Sequence, residues 1–362
     1  MNLIDTARIC LSSVLDVKDN EEVLIITNPD EELKEIANAI FSSVIDFHAF
    51  PTLIVQPVKT QLDFAEPSVI YAIKGMPDIV ISISKEKLGK DLFALKKPYF
   101  IGKKKYDHIF NYLLKKKKIR GFWSPGITKE IFLRTVPINY EKMRINCRKL
   151  KKELDKADGI RVISERGTDV YIGLKKRKAM VDDGDFRKRG KGGNLPCGEV
   201  YISPEIGNSY GTIVFDGSLS GEKGVIIVKE PVKVKVRDGK VEKILGGEEA
   251  KALRNAIEYG VRAAEKLMKE GKLKNGKEYM ENANALGEFG IGLNENARIV
   301  GNVLEDEKVY STCHIAIGSN FDDDLHALIH LDGLIMKPTV ITYSSRKEKK
   351  IMEKGKIISQ TT

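Results

Sequence analysis

Cysteine, histidine and tryptophan are scarce in this 362-residue chain, which holds four, five and one of them. Cys10, Cys147, Cys197 and Cys313 stand far apart with no C-x-x-C spacing. That excludes a disulfide framework and a structural zinc knuckle, leaving four free thiols. Long hydrophobic runs are missing as well. The apolar stretches break within about ten residues, well short of the roughly 20 needed to cross a bilayer. Met1-Asn2-Leu3-Ile4-Asp5 offers no basic segment leading into an apolar core, so no secretory leader is expected and the chain should reside in the cytoplasm. Few aromatics stand among the lysines, so no base-stacking platform is visible. No G-x-G-x-x-G follows the first strand-like run, which leaves a dinucleotide site without support. Gly190-Lys191-Gly192-Gly193 lacks the spacing of a Walker A loop, and a mobile loop over a site, or a plain turn, is expected there.

What is present describes a globular protein: 42% hydrophobic and 31% charged residues. The length favours two domains over one core. A net charge of +10 comes largely from lysine, in runs such as Lys115–Lys118 and Lys347–Lys350. These read as a solvated lysine- and glutamate-rich surface of the thermophile kind, so nucleic acid is not the expected partner. A non-enzymatic basic scaffold that binds nucleic acid is the reading this disfavours.

Glu22 to Thr27 (EVLIIT) reads as a buried strand. A helix starting at Asn28-Pro29-Asp30 follows, with Leu33, Ile36, Ala37 and Ile40 at helical spacing, then a second run from Thr52 to Val55. This is a β-α-β unit, which makes a parallel sheet. Asp78–Ser82, Tyr99–Gly102 and Gly121–Trp123 continue the strands, so residues 1–145 are expected to form an open α/β domain. A lysine-rich helix from Tyr140 to Lys156 leads into residues 146–362. There, alternating strands (160–163, 169–172, 211–215, 225–228, 232–236 and 241–245), an Asp238-Gly239 hairpin turn and a helix over 247–270 predict a mixed, largely antiparallel α+β domain.

Polar groups inside apolar strands cost free energy unless something compensates. Thr312-Cys313-His314-Ile315-Ala316-Ile317-Gly318 holds a histidine, and Leu328-Ile329-His330-Leu331-Asp332-Gly333-Leu334 holds a histidine and a carboxylate two apart. Residues i and i+2 of a strand face one side, so His330 and Asp332 can grip one object, with Leu331 turned to the packed side. With His314 as a third donor, the set suits zinc, cobalt, manganese or iron. Glu288, in the glycine-rich Leu286–Gly292, and Glu199, at the mouth of a strand, are further candidates that would suffice for two metals. His326 reads as an exposed loop residue, and His48 and His108 as structural.

At these residues the sequence resembles the aminopeptidase T / thermophilic leucyl aminopeptidase family of metallopeptidases. The resemblance runs in order through Asn194-Leu195-Pro196, Glu199-Val200, Gly211-Thr212, Asp216-Gly217, Leu286-Gly287-Glu288, Glu305-Asp306-Glu307, His314–Gly318 and His330-Leu331-Asp332. It implies a dinuclear centre with Glu199, Glu288, His314, His330 and Asp332 as ligands and Glu307 as a further acidic residue. It also implies a homodimer that encloses the site, and removal of N-terminal residues from peptides. Phe321 stands where family peptidases carry a tyrosine; a phenol can donate to a developing oxyanion and phenylalanine cannot. A related branch looks like the dihydroxypyridine ring-cleaving dioxygenases, which use the two histidines and the aspartate around one ferrous ion.

Two enzymatic expectations follow. The first is an aminopeptidase-like hydrolase in which two divalent ions (zinc, cobalt or manganese) activate a bridging water, with Glu199 or Glu288 shuttling the proton. The alternative is a mononuclear Fe(II) dioxygenase acting on a catechol-like ring.

Overall fold

The computed structural model describes residues 1–60, 63–222, 224–345 and 347–358. The chain divides into two compact units: Met1–Arg144 with Asp182–Cys197, and Ile145–Val181 with Gly198–Thr362. A single boundary at 145/146 therefore misses a return of the chain. The glycine-rich segment expected as a loop or turn supplies a short edge strand, Gly192–Asn194, paired in parallel with Arg120–Pro125. Three residues, two of them glycine, carry no strand signal of their own.

The first unit is a parallel sheet in the spatial order Gly192–Asn194, Arg120–Pro125, Ile79–Ser84, Glu22–Thr27 and Phe50–Val55. Ile79–Ser84 is wholly buried and only Glu22 of its neighbour is exposed. Strands covered on both faces read as unbroken apolar runs for this reason. Between the first two strands in sequence lies the helix Glu31–Asp46, capped by Asp30, whose carboxylate accepts from the Glu32 and Leu33 N–H groups. Its stripe of Leu33, Ile36, Ala37, Ile40 and Val44 is buried. The Arg120 guanidinium is 3% exposed and pairs with Glu21 at 2.8 and 2.6 Å while its Nε donates to Leu15 O. His108 is structural: it caps the helix Ile109–Lys115, its Nδ1 accepting from Phe110 N–H.

The second unit holds an eight-stranded and a seven-stranded sheet, largely antiparallel, and the long helix Glu248–Lys269. Val232–Arg237 alternates strictly between buried and exposed residues. Asp238 and Gly239, at φ of 49° and 71°, then form the two-residue turn that matches strand twist. The sheets meet where Phe215 packs on Gly333: a Cβ added at Gly333 would lie 2.5 Å from the ring. Tyr171 stacks on Tyr210 with centroids 5.1 Å apart and stands 6.3 Å from Tyr343. These tyrosines, distant in sequence, form an aromatic cluster that no linear pattern shows. All four cysteines are buried, and none forms a disulfide. Among the described residues, no helix is long and apolar enough to cross a membrane.

Candidate metal centre

Four adjacent strands of the seven-stranded sheet carry the candidate ligands: Glu199–Ile202, Leu286–Gly292, Thr312–Gly318 and His330–Met336. Register puts them on one face. Glu199 opposes Gly292, Gly290 opposes His314, Glu288 and Asp332 both oppose Ala316, and Gly318 opposes His330. Residues paired across antiparallel strands point to the same side. Every acid or imidazole therefore has glycine or alanine as its neighbour, and the small residues hollow the face. The closest case is Gly290, where an added Cβ would fall 2.1 Å from His314 Nε2. The intervening Phe289, Ile291, Cys313, Ile315, Ile317, Leu331 and Ile335 are buried on the other face, which forms the core.

The side chains converge. His314 Nε2 lies 3.0 Å from Glu288 and 3.6 Å from Glu199, and His330 Nε2 lies 3.5 Å from Asp332 and 3.8 Å from Glu288. His330 Nδ1 donates to Ser319 O at 2.8 Å, which turns Nε2 toward the carboxylates. Among the described residues, two triplets could each hold a cation, Glu199/Glu307/His314 and Glu288/His330/Asp332, with ligand atoms within 4.8 Å of one another. Glu199 Oε2, Glu288 Oε2, Asp332 Oδ1 and His314 Nδ1 are buried and make no hydrogen bond. Buried carboxylate oxygens are rarely left unmatched, and this donor set fits a divalent metal.

The charges hold one another in place. Burial works against the protonated forms of His314 and His330, but their carboxylate neighbours outweigh it and raise them to about 9 and about 10. Burial would also raise Asp332, yet the His330 charge 3.5 Å away holds it at about 2. Glu199 goes the other way. Burial is its largest influence and lifts it to about 7, against the lowering effect of Lys308.

Lys308 is the residue that sequence reasoning missed. Its side chain is fully buried, and its ammonium donates to Glu199 at 2.7 Å and, more closely still, to Glu307. One lysine in a lysine-rich chain gives no signal; only the apolar strand that follows it hints at burial. Glu307 caps the short helix Val303–Asp306, whose Glu305 and Asp306 accept backbone N–H groups of Arg298, Val300 and Gly301. Of Glu305-Asp306-Glu307, only Glu307 faces the ligands. The ring of Phe321 is 55% exposed, lies edge-on to His330 with centroids 5.3 Å apart, and meets Tyr201 at 5.2 Å. His326 is half-buried, not exposed as expected. It stacks on Tyr279 with centroids 5.7 Å apart and belongs to neither triplet.

A family model described as 2,5-dihydroxypyridine 5,6-dioxygenase (NicX) matches residues 127–321, 195 of the 362. The chain belongs to this family. The match takes in Glu199, Glu288, Glu307 and His314 and stops short of His330 and Asp332, which the sheet register brings to the same place. Two solved structures share the fold across nearly the whole chain. The 2,5-dihydroxypyridine dioxygenase of Pseudomonas putida KT2440 has a TM-score of 0.72 at 16% identity, covering 99% of this chain and 97% of its own. AmpT from Thermus thermophilus has a TM-score of 0.65 at 16% identity, covering 99% of both. No curated protein matches by sequence. The family match thus falls on the oxygenase alternative, while the likeness to aminopeptidase T is one of fold.

Proposed function

We propose that this member of the family is a mononuclear iron dioxygenase that opens a dihydroxylated aromatic ring. The observation that carries it is that His330 and Asp332 from a single strand and His314 from the adjacent one converge around the Glu288 carboxylate, which brings two imidazoles and the Asp332 carboxylate to one face. That set suits ferrous iron and leaves positions for two further ligands. Iron held there would supply coordination of dioxygen beside a chelating substrate. Ring cleavage with uptake of both oxygen atoms balances without an external reductant, since the ring carbons are oxidised as the dioxygen is reduced.

The chain's own groups do the rest. Ser319 O fixes the orientation of His330, and Glu288 fixes that of His314. Glu199, raised to about 7, is suited to take the proton of a substrate hydroxyl and return it. Phe321 and Tyr201 form an aromatic wall beside His330, the ligand whose side chain is most exposed. A flat ring packs well against such a wall.

The second reading is the dinuclear hydrolase, which the presence of two ligand triplets favours. Anaerobic loading with Fe(II), followed by oxygen uptake with 2,5-dihydroxypyridine and a panel of catechols, separates the two. One iron per chain and stoichiometric uptake are expected. Failure of every dihydroxylated ring at full iron occupancy, with amino-acid release from peptides under zinc, cobalt or manganese, would overturn the oxygenase reading.

A further inference from the structure

We infer that the Lys308 ammonium is a built-in replacement for a second metal ion and limits this centre to one. The inference deepens the proposal of a mononuclear centre and rests on it. Of the two triplets, Glu288/His330/Asp332 contains no cationic side chain other than its histidine. Glu199/Glu307/His314 has Lys308 bonded to both of its carboxylates. The lysine is rooted beside Glu307 in sequence and its side chain is fully buried, so the ammonium has no solvent to retreat into. A hydrated point charge on an apolar stem is stable in such a place only when it is paired.

Charge counting points the same way. With Glu199, Glu288, Glu307 and Asp332 ionised and the imidazoles neutral, four negative charges face one ammonium, a net of −3. One divalent ion brings this to −1. A second would leave a net positive charge in a buried site and would stand beside the ammonium, on carboxylates the ammonium already engages. Without the lysine, four carboxylates would match two divalent ions. The residues around the site thus retain the donors of a two-metal centre, and a single lysine removes the room for its second cation. The fold likeness to an aminopeptidase is consistent with a shared scaffold that this residue tips toward one metal.

The test is metal stoichiometry, read without any substrate. Wild-type chain titrated with Mn(II) should bind one ion and show the spectrum of an isolated ion by electron paramagnetic resonance. Lys308→Met, which keeps the stem and removes the charge, should bind a second equivalent at least tenfold tighter than wild type does and show an exchange-coupled pair. Metal centres of this kind stand about 3.5–4 Å apart, close enough to couple. Lys308→Arg should stay at one. Two ions in wild type, or one ion in folded Lys308→Met at saturation, overturns the inference. Should Lys308→Met fold only with metal present, a melting temperature that climbs up to the second equivalent supports it, and a plateau at the first overturns it. If the variant never folds, the wild-type count alone decides. Oxygen uptake is not part of the readout, so failure of the dioxygenase assay and failure of this inference are separate results.

Discussion

Gly290→Ala tests the geometry of the centre most directly. Gly290 opposes His314 across the sheet, and the imidazole lies where a side chain would be. A Cβ there would sit 2.1 Å from Nε2 and 2.2 Å from Cε1, so reaching an ordinary 3.4 Å contact requires the ring to retreat by about 1.3 Å. His314 is fully buried and bonded to Glu288 at 3.0 Å, so moving the ring disturbs that contact too. Overpacking of this kind costs about 1–3 kcal/mol. The effect on metal should be larger, because ligand distances tolerate only about 0.2 Å. Loss of one imidazole should weaken binding by about 100-fold or more, on the scale that outer partners alone account for 10–100-fold. Gly333→Ala is the matched control: its added Cβ strikes Phe215 at 2.5 Å on the opposite face of the sheet. It should lower stability while leaving metal affinity of the folded chain unchanged. Metal titration beside thermal unfolding, followed by circular dichroism, reads both effects. Equal metal affinity in Gly290→Ala and wild type would refute the reasoning.

Three further outcomes are expected. His314 and His330 are raised to about 9 and about 10 in the metal-free fold, above the ordinary 6.5. Their stabilising contribution is therefore full below about pH 6.5 and is lost as pH rises through 9 to 10. Metal binding expels the same protons, so affinity should climb over this interval while metal-free stability falls; a stability gap between wild type and His330→Gln that widens with pH would contradict it. Phe321→Ala should raise KM for a ring substrate about threefold to tenfold through loss of aromatic contact and leave metal stoichiometry alone; unchanged KM would remove the wall from the substrate site. Arg120→Met should destabilise the first unit by about 3–5 kcal/mol in urea titrations, because it strands Glu21 beside a buried position, and a loss under about 1 kcal/mol would show the pair to be dispensable.

The parts of this structure legible in the sequence are those with a strong local period. The buried parallel strands announce themselves as apolar runs, the helix Glu31–Asp46 by its stripe and Asp30 cap, and His330-Leu331-Asp332 by alternation. Glu288 stood out because its glycine neighbours are rare company for a carboxylate. Lys308 did not, since a buried lysine is defined by partners: Glu199 lies 109 positions away, and the adjacent Glu307 resembles any surface pair. The small residues Gly290, Gly292, Ala316 and Gly318 each look unremarkable alone. Only the register shows that they line up against the ligands. Gly192–Asn194 was unreadable because its place depends on a partner, Arg120–Pro125, some 70 residues earlier.

That late return has a practical consequence for dissecting the protein. The polypeptide passes from one compact unit to the other three times, so no single cut yields two intact halves. A fragment ending near residue 145 would lack Gly192–Asn194 and leave the strand Arg120–Pro125 with a bare row of N–H and C=O groups along one side. Exposed edges of that kind recruit other chains. A fragment starting near residue 146 would carry Asp182–Cys197 as an internal loop severed from its sheet. Expression of either piece should give aggregation-prone material, whereas joining Arg144 to Asp182 through a short linker keeps the first sheet whole.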